Sequence, residues 1–168
     1  MTRKQQEHPI LFRPESIEKI VRDWKIVTRR VFTGKPGFHI ATDPKGFLIL
    51  DRNGRFEKIR SPYGGAGDIL WVREPYEKDG RTIPALFMPK AKARIFLWVC
   101  HVTISTLGQM TGADAYDEGC LTLAEYIDLW NEINAPRGFP WKNSQPVWEI
   151  RFNYISHSMK DWRRYRAY

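Results

Sequence analysis

The chain has 168 residues, of which 42% are hydrophobic and 14% aromatic, and its formal net charge is +8 at pH 7. This length fits one domain with tails, and the apolar content is enough to bury a core, which excludes a globally disordered protein. The basic excess favours an anionic partner such as nucleic acid without identifying one.

The cysteine and histidine content argues against a metal or cofactor site. Two cysteines, Cys100 and Cys120, are too few for a disulfide framework or a four-cysteine metal site. The four histidines lack metal-ligand spacing. No apolar run reaches the ~18–20 residues of a membrane span, and the N-terminus has no apolar signal core. These features predict no cofactor, no membrane contact and a cytoplasmic location.

The N-terminal third begins with a flexible basic segment, residues 1–8, which precedes a domain predicted over residues 9–156. An apolar run at residues 10–12 predicts a strand. Pro14 then suits the first turn of a helix, and an apolar stripe follows at helical spacing. The stripe consists of Ile17, Ile20, Val21 and Trp24.

A strand is predicted directly after this helix, because the apolar period changes at Val27. Strand alternation would place Thr28 and Arg30 on one face and Arg29 on the other. We therefore expect Arg29 to face away from Thr28.

Residues 33–66 are rich in turn formers and predict a β insertion within the domain. Asn53-Gly54 is a strong hairpin signal, and Asp79-Gly80 predicts a second hairpin before a strand at residues 83–88. The run at residues 93–105 is apolar on both faces, which is typical of a central strand. Simple alternation would place Val99 and Val102 on opposite faces of this strand.

Two helices and a last strand complete the pattern. Thr111 and Asp114 resemble an N-cap pair, and Thr122 with Glu125 forms a capping box. Glu118 would lie in the last turn of the first helix, where the helix dipole disfavours a carboxylate, so it needs another reason to be there. Four aromatic and aliphatic residues of the last strand are predicted to face the core, whereas Glu149, Arg151 and Asn153 are predicted to face out. The inward residues are Trp148, Ile150, Phe152 and Tyr154.

The fold class that follows is mainly β with helices (α+β). Helices are few and clustered, so a small, mainly antiparallel β-barrel with helices packed at its openings fits best.

A basic aromatic tail, residues 157–168, is the candidate nucleic-acid contact outside the domain. Aromatic rings can stack on bases and arginines can meet phosphates. The alternative is that Trp162 and Tyr165 pack the tail onto the barrel. The candidate residues are Lys160, Trp162, Arg163, Arg164, Tyr165 and Arg166.

Several short segments, in order over residues 10–152, resemble a known family. They are residues 10–12, 25–31, 62–64, 67–74, 88–89 leading into 94–95, 113–119, 130–134 and 147–150. The chain resembles the ASCH domain family, relatives of the PUA RNA-binding fold, and especially the longer ASCH proteins of bacteriophages and prophages. The resemblance implies a PUA-like β-barrel with a cleft between barrel and helices. It implies RNA or a modified nucleoside as partner, in the cytoplasm of a bacterial host if the chain is phage-encoded.

One branch of that family, the small bacterial N4-acetylcytidine amidohydrolases, implies a catalytic set. It uses a lysine, a threonine three residues later, and a glutamate from a later helical region. Lys25 and Thr28 match the first two, and Glu118 matches the third by its place before Gly119. The 33–66 insertion and the tail depart from these small enzymes. A non-catalytic RNA-binding module, a ribonuclease and a phage protein that binds another protein stay open as alternatives.

The chemistry of amide hydrolysis assigns roles to these residues. Thr28 is the candidate nucleophile, Lys25 the base, and Glu118 would orient Lys25 or shuttle a proton. Arg30 could hold an oxyanion or a phosphate, and Arg29, Arg30 and Arg73 are the candidate substrate-binding residues.

Each of these residues also has a structural interpretation. Lys25 could be a helix C-terminal cation and Thr28 a β-former, while Arg29 and Arg30 could be solvated strand charges. Arg73 and its neighbour Glu74 point to opposite faces of a strand and could be partners in separate ion pairs. The sequence leaves the oligomeric state open.

Overall fold

The structure, a computed structural model, describes residues 4–34, 40–42, 48–52 and 55–156. The nucleic-acid tail predicted at residues 157–168 and residues 1–3 of the N-terminal segment lie outside the described residues. The helices are α1 (Pro14–Val21), α2 (Gly112–Asp117) and α3 (Leu123–Asn134). The strands are β1 (Glu7–Leu11), β2 (Val27–Val31), β3 (Ile40–Thr42), β4 (Leu48–Arg52), β5 (Arg55–Ile59), β6 (Ile69–Arg73), β7 (Tyr76–Lys78), β8 (Arg81–Ile83), β9 (Phe96–Thr106) and β10 (Pro146–Ser156).

The main sheet has five strands in the order β1-β6-β9-β10-β2. β1 runs parallel to β6, and the other neighbours are antiparallel. Among the described residues β1 and β2 do not pair with each other, so the sheet is open. The predicted α+β fold is confirmed, although among the described residues its main sheet does not close into a complete barrel. The space between the two edge strands is lined instead by side chains of the two edges, α1 and α3.

Helix α1 connects the two edge strands and packs onto the sheet. Pro14 occupies its first turn, where the missing N–H has no cost. Ile17 and Ile20 are buried in the larger core cluster, as the apolar stripe predicts. Asp23 has a φ of 55° and ends the helix, which leaves Trp24 outside it. The local pattern therefore predicts the helix correctly but overextends its C-terminal end.

A β-bulge in the central strand β9 corrects the predicted faces. Phe152 pairs with Val99 and Ile150 pairs with Val102, so two residues of β9 oppose one residue of β10. Cys100 is the extra residue, and the alternation shifts at this point. Val99 and Val102 consequently lie in the same core cluster, whereas unbroken alternation would separate them.

The helices α2 and α3 cover a second, smaller core that includes Val147 of β10. The rings of Tyr126, Trp130 and Trp141 pack with centroid distances of 6.2–6.5 Å. The Trp130 indole N–H donates to the Phe139 carbonyl at 3.0 Å, which satisfies its polar atom. This cluster holds α3 in place over the open side of the sheet.

Two smaller sheets are separate from the five-stranded sheet. β3, β4 and β5 form an antiparallel sheet, and Arg52 pairs with Arg55 across the predicted hairpin, whose turn residues 53–54 are outside the described residues. The second predicted hairpin is also present, because Asp79 and Gly80 have φ values of 51° and 72° between β7 and β8. The strand expected at residues 83–88 is wrong, since Pro84 ends β8 and a 3₁₀ turn follows.

Candidate active site

A cavity of about 260 Å³ lies in the opening between edge strands β1 and β2. Its floor comes from β2 and the segment before it, and α3 contributes one wall. The polar and charged lining is Arg13, Ser16, Lys25, Thr28, Arg29, Arg30, Glu118, Tyr126 and Asn134. The apolar lining is Leu11, Phe12, Leu129, Trp130 and Ile133. The three residues that the resemblance singles out, Lys25, Thr28 and Glu118, therefore meet in one cavity.

Lys25 is held in place by its backbone neighbours. Its N–H donates to the Lys19 carbonyl at 3.1 Å, just past the end of α1. The adjacent Ile26 donates to the Asp117 carbonyl at 2.9 Å and accepts from the Phe152 N–H at 2.9 Å. These bonds tie the segment to α2 on one side and to β10 on the other. Lys25 is 6% exposed, so its amine is directed into the interior and not into solvent.

Glu118 sits at the C-cap of α2, the position that the helix dipole disfavours. Its carboxylate forms a buried ion pair with the Lys25 amine, and its backbone carbonyl accepts from the same Nζ at 3.0 Å. The ion pair supplies the reason for an acid at this position. Gly119 follows with a φ of +83°, and an added Cβ would lie 2.9 Å from Lys19 and 3.3 Å from Lys25. The close approach of the two segments therefore requires glycine.

The other carboxylate oxygen of Glu118 is also bound. Tyr126 donates its hydroxyl to Oε1 at 3.2 Å, and the Arg29 guanidinium approaches the same oxygen at 3.5 Å. Arg29 in turn reaches Asp114 at 3.1 Å and Glu149 at 2.8 Å. Glu118 is thus fixed by three donors, and this geometry orients its charge toward Lys25.

The pKa values of two groups in the cavity lining depart from their usual range. Burial lowers the pKa of the Lys25 amine, and the negative charge of Glu118 offsets this only in part. Burial raises the pKa of Tyr126 well above its usual value, and the Glu118 charge adds to the effect. Lys25 is therefore disposed to lose its proton, while Tyr126 remains a neutral hydrogen-bond donor.

Thr28 lies in β2 opposite Ile150 and is 4% exposed. Its hydroxyl makes no hydrogen bond with residues in the described ranges. Thr28 lines the same cavity as the Lys25 amine. The arrangement leaves the oxygen available to a bound molecule.

Arg29 departs from its predicted orientation. In the pairing of β2 with β10, Arg29 lies opposite Glu149 and Thr28 lies opposite Ile150. The backbone therefore alternates as predicted. Because β2 is an edge strand, however, the long side chain bends toward Glu118 and lines the same cavity as Thr28. The expectation that Arg29 faces away from Thr28 therefore holds for the backbone of β2, whereas the side chain reaches the cavity that Thr28 also lines. Its contacts with three carboxylates make it a positioning group, and a direct contact with substrate stays a prediction.

The residues predicted to face out of the last strand are half-buried at two positions. Glu149 binds Arg29 and accepts from the Ser105 hydroxyl at 2.9 Å, and Arg151 donates to Asp117 at 2.8 Å. Both were expected to face solvent, but the α2 region covers this face. Sequence reasoning missed Glu149 and Tyr126 as supports of the site. For Tyr126 a signal exists, because a buried tyrosine hydroxyl requires a partner.

Arg30 points into the cavity wall as expected. Its guanidinium lies 4.9 Å from the Phe12 ring centroid and donates to the Leu11 carbonyl at 2.5 Å. Burial lowers the pKa of Arg30, but an arginine keeps its charge at neutral pH. A cation is therefore fixed in the lining of the cavity that Thr28 also lines.

Arg73 and Glu74 separate as strand alternation predicts. Glu74 forms a two-pronged ion pair with Arg94 at 2.6 and 2.9 Å. Arg73 forms no ion pair within the described ranges and lies 4.8 Å from the Trp71 ring centroid. It does not line the cavity of Lys25, but lines the neighbouring one.

No group of three metal-ligating side chains is placed to bind a metal ion among the described residues. In the same part of the chain, no helix has the length and apolar character to cross a membrane.

The comparisons with known proteins are structural. No protein-family model and no curated protein matches the chain. Protein EF3133 from Enterococcus faecalis V583, described as DUF984, aligns with a TM-score of 0.53 at 11% identity, over 94% of this chain and 85% of that one. An ASCH domain from Lactobacillus crispatus JV V101 aligns with a TM-score of 0.48 at 12% identity, over 90% and 81%. The similarity to EF3133 shows a shared fold.

Proposed function

We propose that this chain is an ASCH-domain protein of PUA-like fold that binds a modified nucleoside or RNA in the cavity between its edge strands. The reaction is hydrolysis of the amide bond of an N4-acylated cytidine. One observation carries the proposal: Lys25, Thr28 and Glu118 line a single cavity, with Lys25 and Glu118 joined as a buried pair. The matching spacing in the amidohydrolase branch supports the same assignment.

The contacts of Lys25 suit a base once its amine has lost the proton of the ion pair with Glu118. A neutral amine has two N–H donors and one lone pair. The two donors are directed to the backbone carbonyl and the carboxylate of Glu118. The lone pair is then free to accept the proton of Thr28, whose hydroxyl has no other partner in the described ranges. Burial of Lys25 favours this neutral form.

In the first step the Thr28 oxygen attacks the acyl carbon while Lys25 takes the hydroxyl proton. The carbonyl electron pair moves to its oxygen, and the Arg30 guanidinium faces that developing charge. Collapse of the tetrahedral intermediate breaks the bond between the acyl carbon and N4 of cytosine. The ammonium of Lys25 returns its proton to the leaving nitrogen, which gives cytidine and an acyl ester on Thr28.

In the second step Lys25 is again a neutral base and removes a proton from water. The water oxygen attacks the acyl ester, and the ester bond to Thr28 breaks. The Lys25 proton goes to the threonine oxygen, which restores the enzyme and releases the carboxylic acid. The apolar wall opposite this chemistry, with Phe12 and Trp130, fits the flat face of a pyrimidine.

The direct test is turnover of N4-acetylcytidine, followed by chromatography of cytidine and acetate. Wild-type protein is expected to release both in equal amounts. Lys25→Ala is expected to lose activity by roughly 10²–10⁴-fold, which is the usual contribution of a general base. A matched control is Lys19→Ala, since Lys19 donates to the Gly119 carbonyl beside the site without lining the cavity. A well-folded wild-type protein without turnover would refute the hydrolase assignment.

The pH dependence follows from the lowered pKa of Lys25. The base must be neutral, so kcat/KM is expected to rise with pH along one ionisation. Its midpoint should lie below the usual lysine value of about 10.4. Lys25→Arg keeps the charge but cannot lose its proton, so it should be inactive across the range. A rate that falls as pH rises through this window would contradict a lysine base.

A non-catalytic RNA-binding module is the second candidate, because the chain carries a net charge of +8 and a fixed cation, Arg30, in its cleft. Salt-dependent binding of short RNA together with no turnover would favour it.

A further inference from the structure

A second cavity, of about 390 Å³, adjoins the first. The two cavities share part of their lining, so they are neighbouring compartments of one cleft. The shared residues are Leu11, Arg29, Arg30, Ile133 and Asn134. A molecule bound in the first compartment could therefore extend into the second across Arg30.

The second cavity is strongly positive. Arg29, Arg30, Arg73 and Arg137 line it, and no carboxylate of the described residues does so. The charge of Arg29 is neutralised by Asp114, Glu118 and Glu149 on its other side. The remaining three arginines have no acidic partner in the described ranges. Their charge is left without a counterion among the residues that the structure describes.

The three arginines are held in position by contacts that leave donors unused. Arg30 is fixed by Phe12 and by the Leu11 carbonyl, and Arg73 lies over Trp71. Within the described structure the buried Nε atoms of Arg30 and Arg73 have no hydrogen-bond partner.

Arg137 follows α3 in a 3₁₀ turn and donates to Asn134 Oδ1 at 3.3 Å. Arg137 and Arg30 also repel each other electrostatically. Like charges gathered in this way are unfavourable unless an anion binds between them.

We propose that the second cavity is a phosphate subsite, formed by Arg30, Arg73 and Arg137, for a nucleotide whose base occupies the first cavity. The identity of the base rests on the proposed function, whereas the phosphate rests on the arginines alone. Guanidinium groups match the oxygen geometry of a phosphate, which accepts several charge-assisted hydrogen bonds at once. The natural substrate is then a cytidine phosphate, either a mononucleotide or a residue within RNA, and the free nucleoside is a poorer one.

Binding measured without turnover provides the first test. Isothermal titration calorimetry compares cytidine, its 5′- and 3′-monophosphates, and a short cytidine-containing RNA, and phosphorus NMR follows inorganic phosphate alone. A phosphorylated ligand is expected to bind about 10- to 100-fold more tightly than cytidine, the range of one or more hydrogen bonds to a charged group. Preference for a monophosphate or for RNA identifies the source of the phosphate.

Arginine variants assign the effect to the cavity. Arg73→Gln and Arg137→Gln should each remove most of the preference for the phosphorylated ligand, and Arg73→Lys should restore part of it. Arg81→Gln is the matched control, because it removes one exposed arginine charge from the β7-β8 hairpin and does not line either cavity. Thermal unfolding of each variant separates lost binding from lost folding. Equal affinity of well-folded wild-type protein for cytidine and its phosphates would overturn the subsite.

Turnover distinguishes this inference from the proposed function. If the acetylated nucleoside and its monophosphates are hydrolysed with equal kcat/KM, the hydrolase assignment stands and the subsite fails. If no substrate is hydrolysed but phosphate binding depends on Arg73 and Arg137, the subsite stands and the hydrolase assignment fails.

Discussion

Replacement of Glu118 by alanine is expected to lower the free energy of unfolding by about 3–5 kcal/mol, the usual cost of removing one partner of a buried ion pair. Glu118 is 3% exposed and binds Lys25, Arg29 and Tyr126. Its removal leaves the Lys25 amine buried without a counterion and the Tyr126 hydroxyl without its acceptor. Urea unfolding followed by tryptophan fluorescence measures the difference.

Two further variants separate the effect of an unpaired buried charge from the effect of the space that a truncated side chain leaves. The double variant Lys25→Met with Glu118→Leu removes both charges and fills the space, so it should unfold with a higher free energy than Glu118→Ala, although Tyr126 still lacks its acceptor and activity should be lost. Glu149→Gln should lower the free energy of unfolding less than Glu118→Ala does. The Glu149 side chain is 24% exposed, and Arg29 keeps its ion pairs with Asp114 and Glu118. A Glu118→Ala protein as stable as the wild type would show that the buried pair does not support the fold.

Replacement of Thr28 by valine is expected to reduce kcat/KM for N4-acetylcytidine by about 10³-fold or more, since it removes the oxygen that we propose as the nucleophile. Valine has nearly the shape of threonine, and the Thr28 hydroxyl has no hydrogen-bond partner in the described ranges. The variant should therefore fold with stability close to that of the wild type. Steady-state kinetics and urea unfolding on the same preparation check both parts.

Thr28→Ser is the matched control for this variant. Serine retains the hydroxyl on the same strand position and should keep measurable turnover, with the acyl group trapped on it when the reaction is quenched in acid. Mass spectrometry of the quenched protein reveals the added acyl mass. Full activity of Thr28→Val would instead indicate direct attack by water, with Lys25 as base and no acyl-enzyme.

The parts of the fold that were predictable from sequence are those set by local pattern. The apolar stripe of α1, the strand from Val27 and the alternation of the last strand each depend on neighbours within a few residues. The position of Lys25 relative to Thr28 is local too, because three residues separate them at a helix-to-strand junction. Glu118 could be proposed from its unfavourable place at a helix end, which is also a local signal.

The features that were missed depend on tertiary arrangement. The bulge at Cys100 changes which residues of β9 face the core after that point. Because β9 is apolar on both faces, its sequence pattern does not reveal the extra residue. The reach of Arg29 over the sheet edge follows from β2 being an edge strand, which strand periodicity does not reveal. Arg137 lies in a proline- and glycine-flanked turn and joins Arg30 and Arg73 only through the packing of α3.

The place of β2 in the sheet has a consequence for the order in which the protein assembles. Among the described strands β2 pairs only with β10, which is separated from it by more than a hundred residues of chain. On the ribosome β2 therefore has no sheet partner until β10 has emerged, while β1, β6 and β9 can already pair. Lys25 and Thr28 are carried by this late-joining segment. The cleft can thus form completely only after β10 has been synthesised.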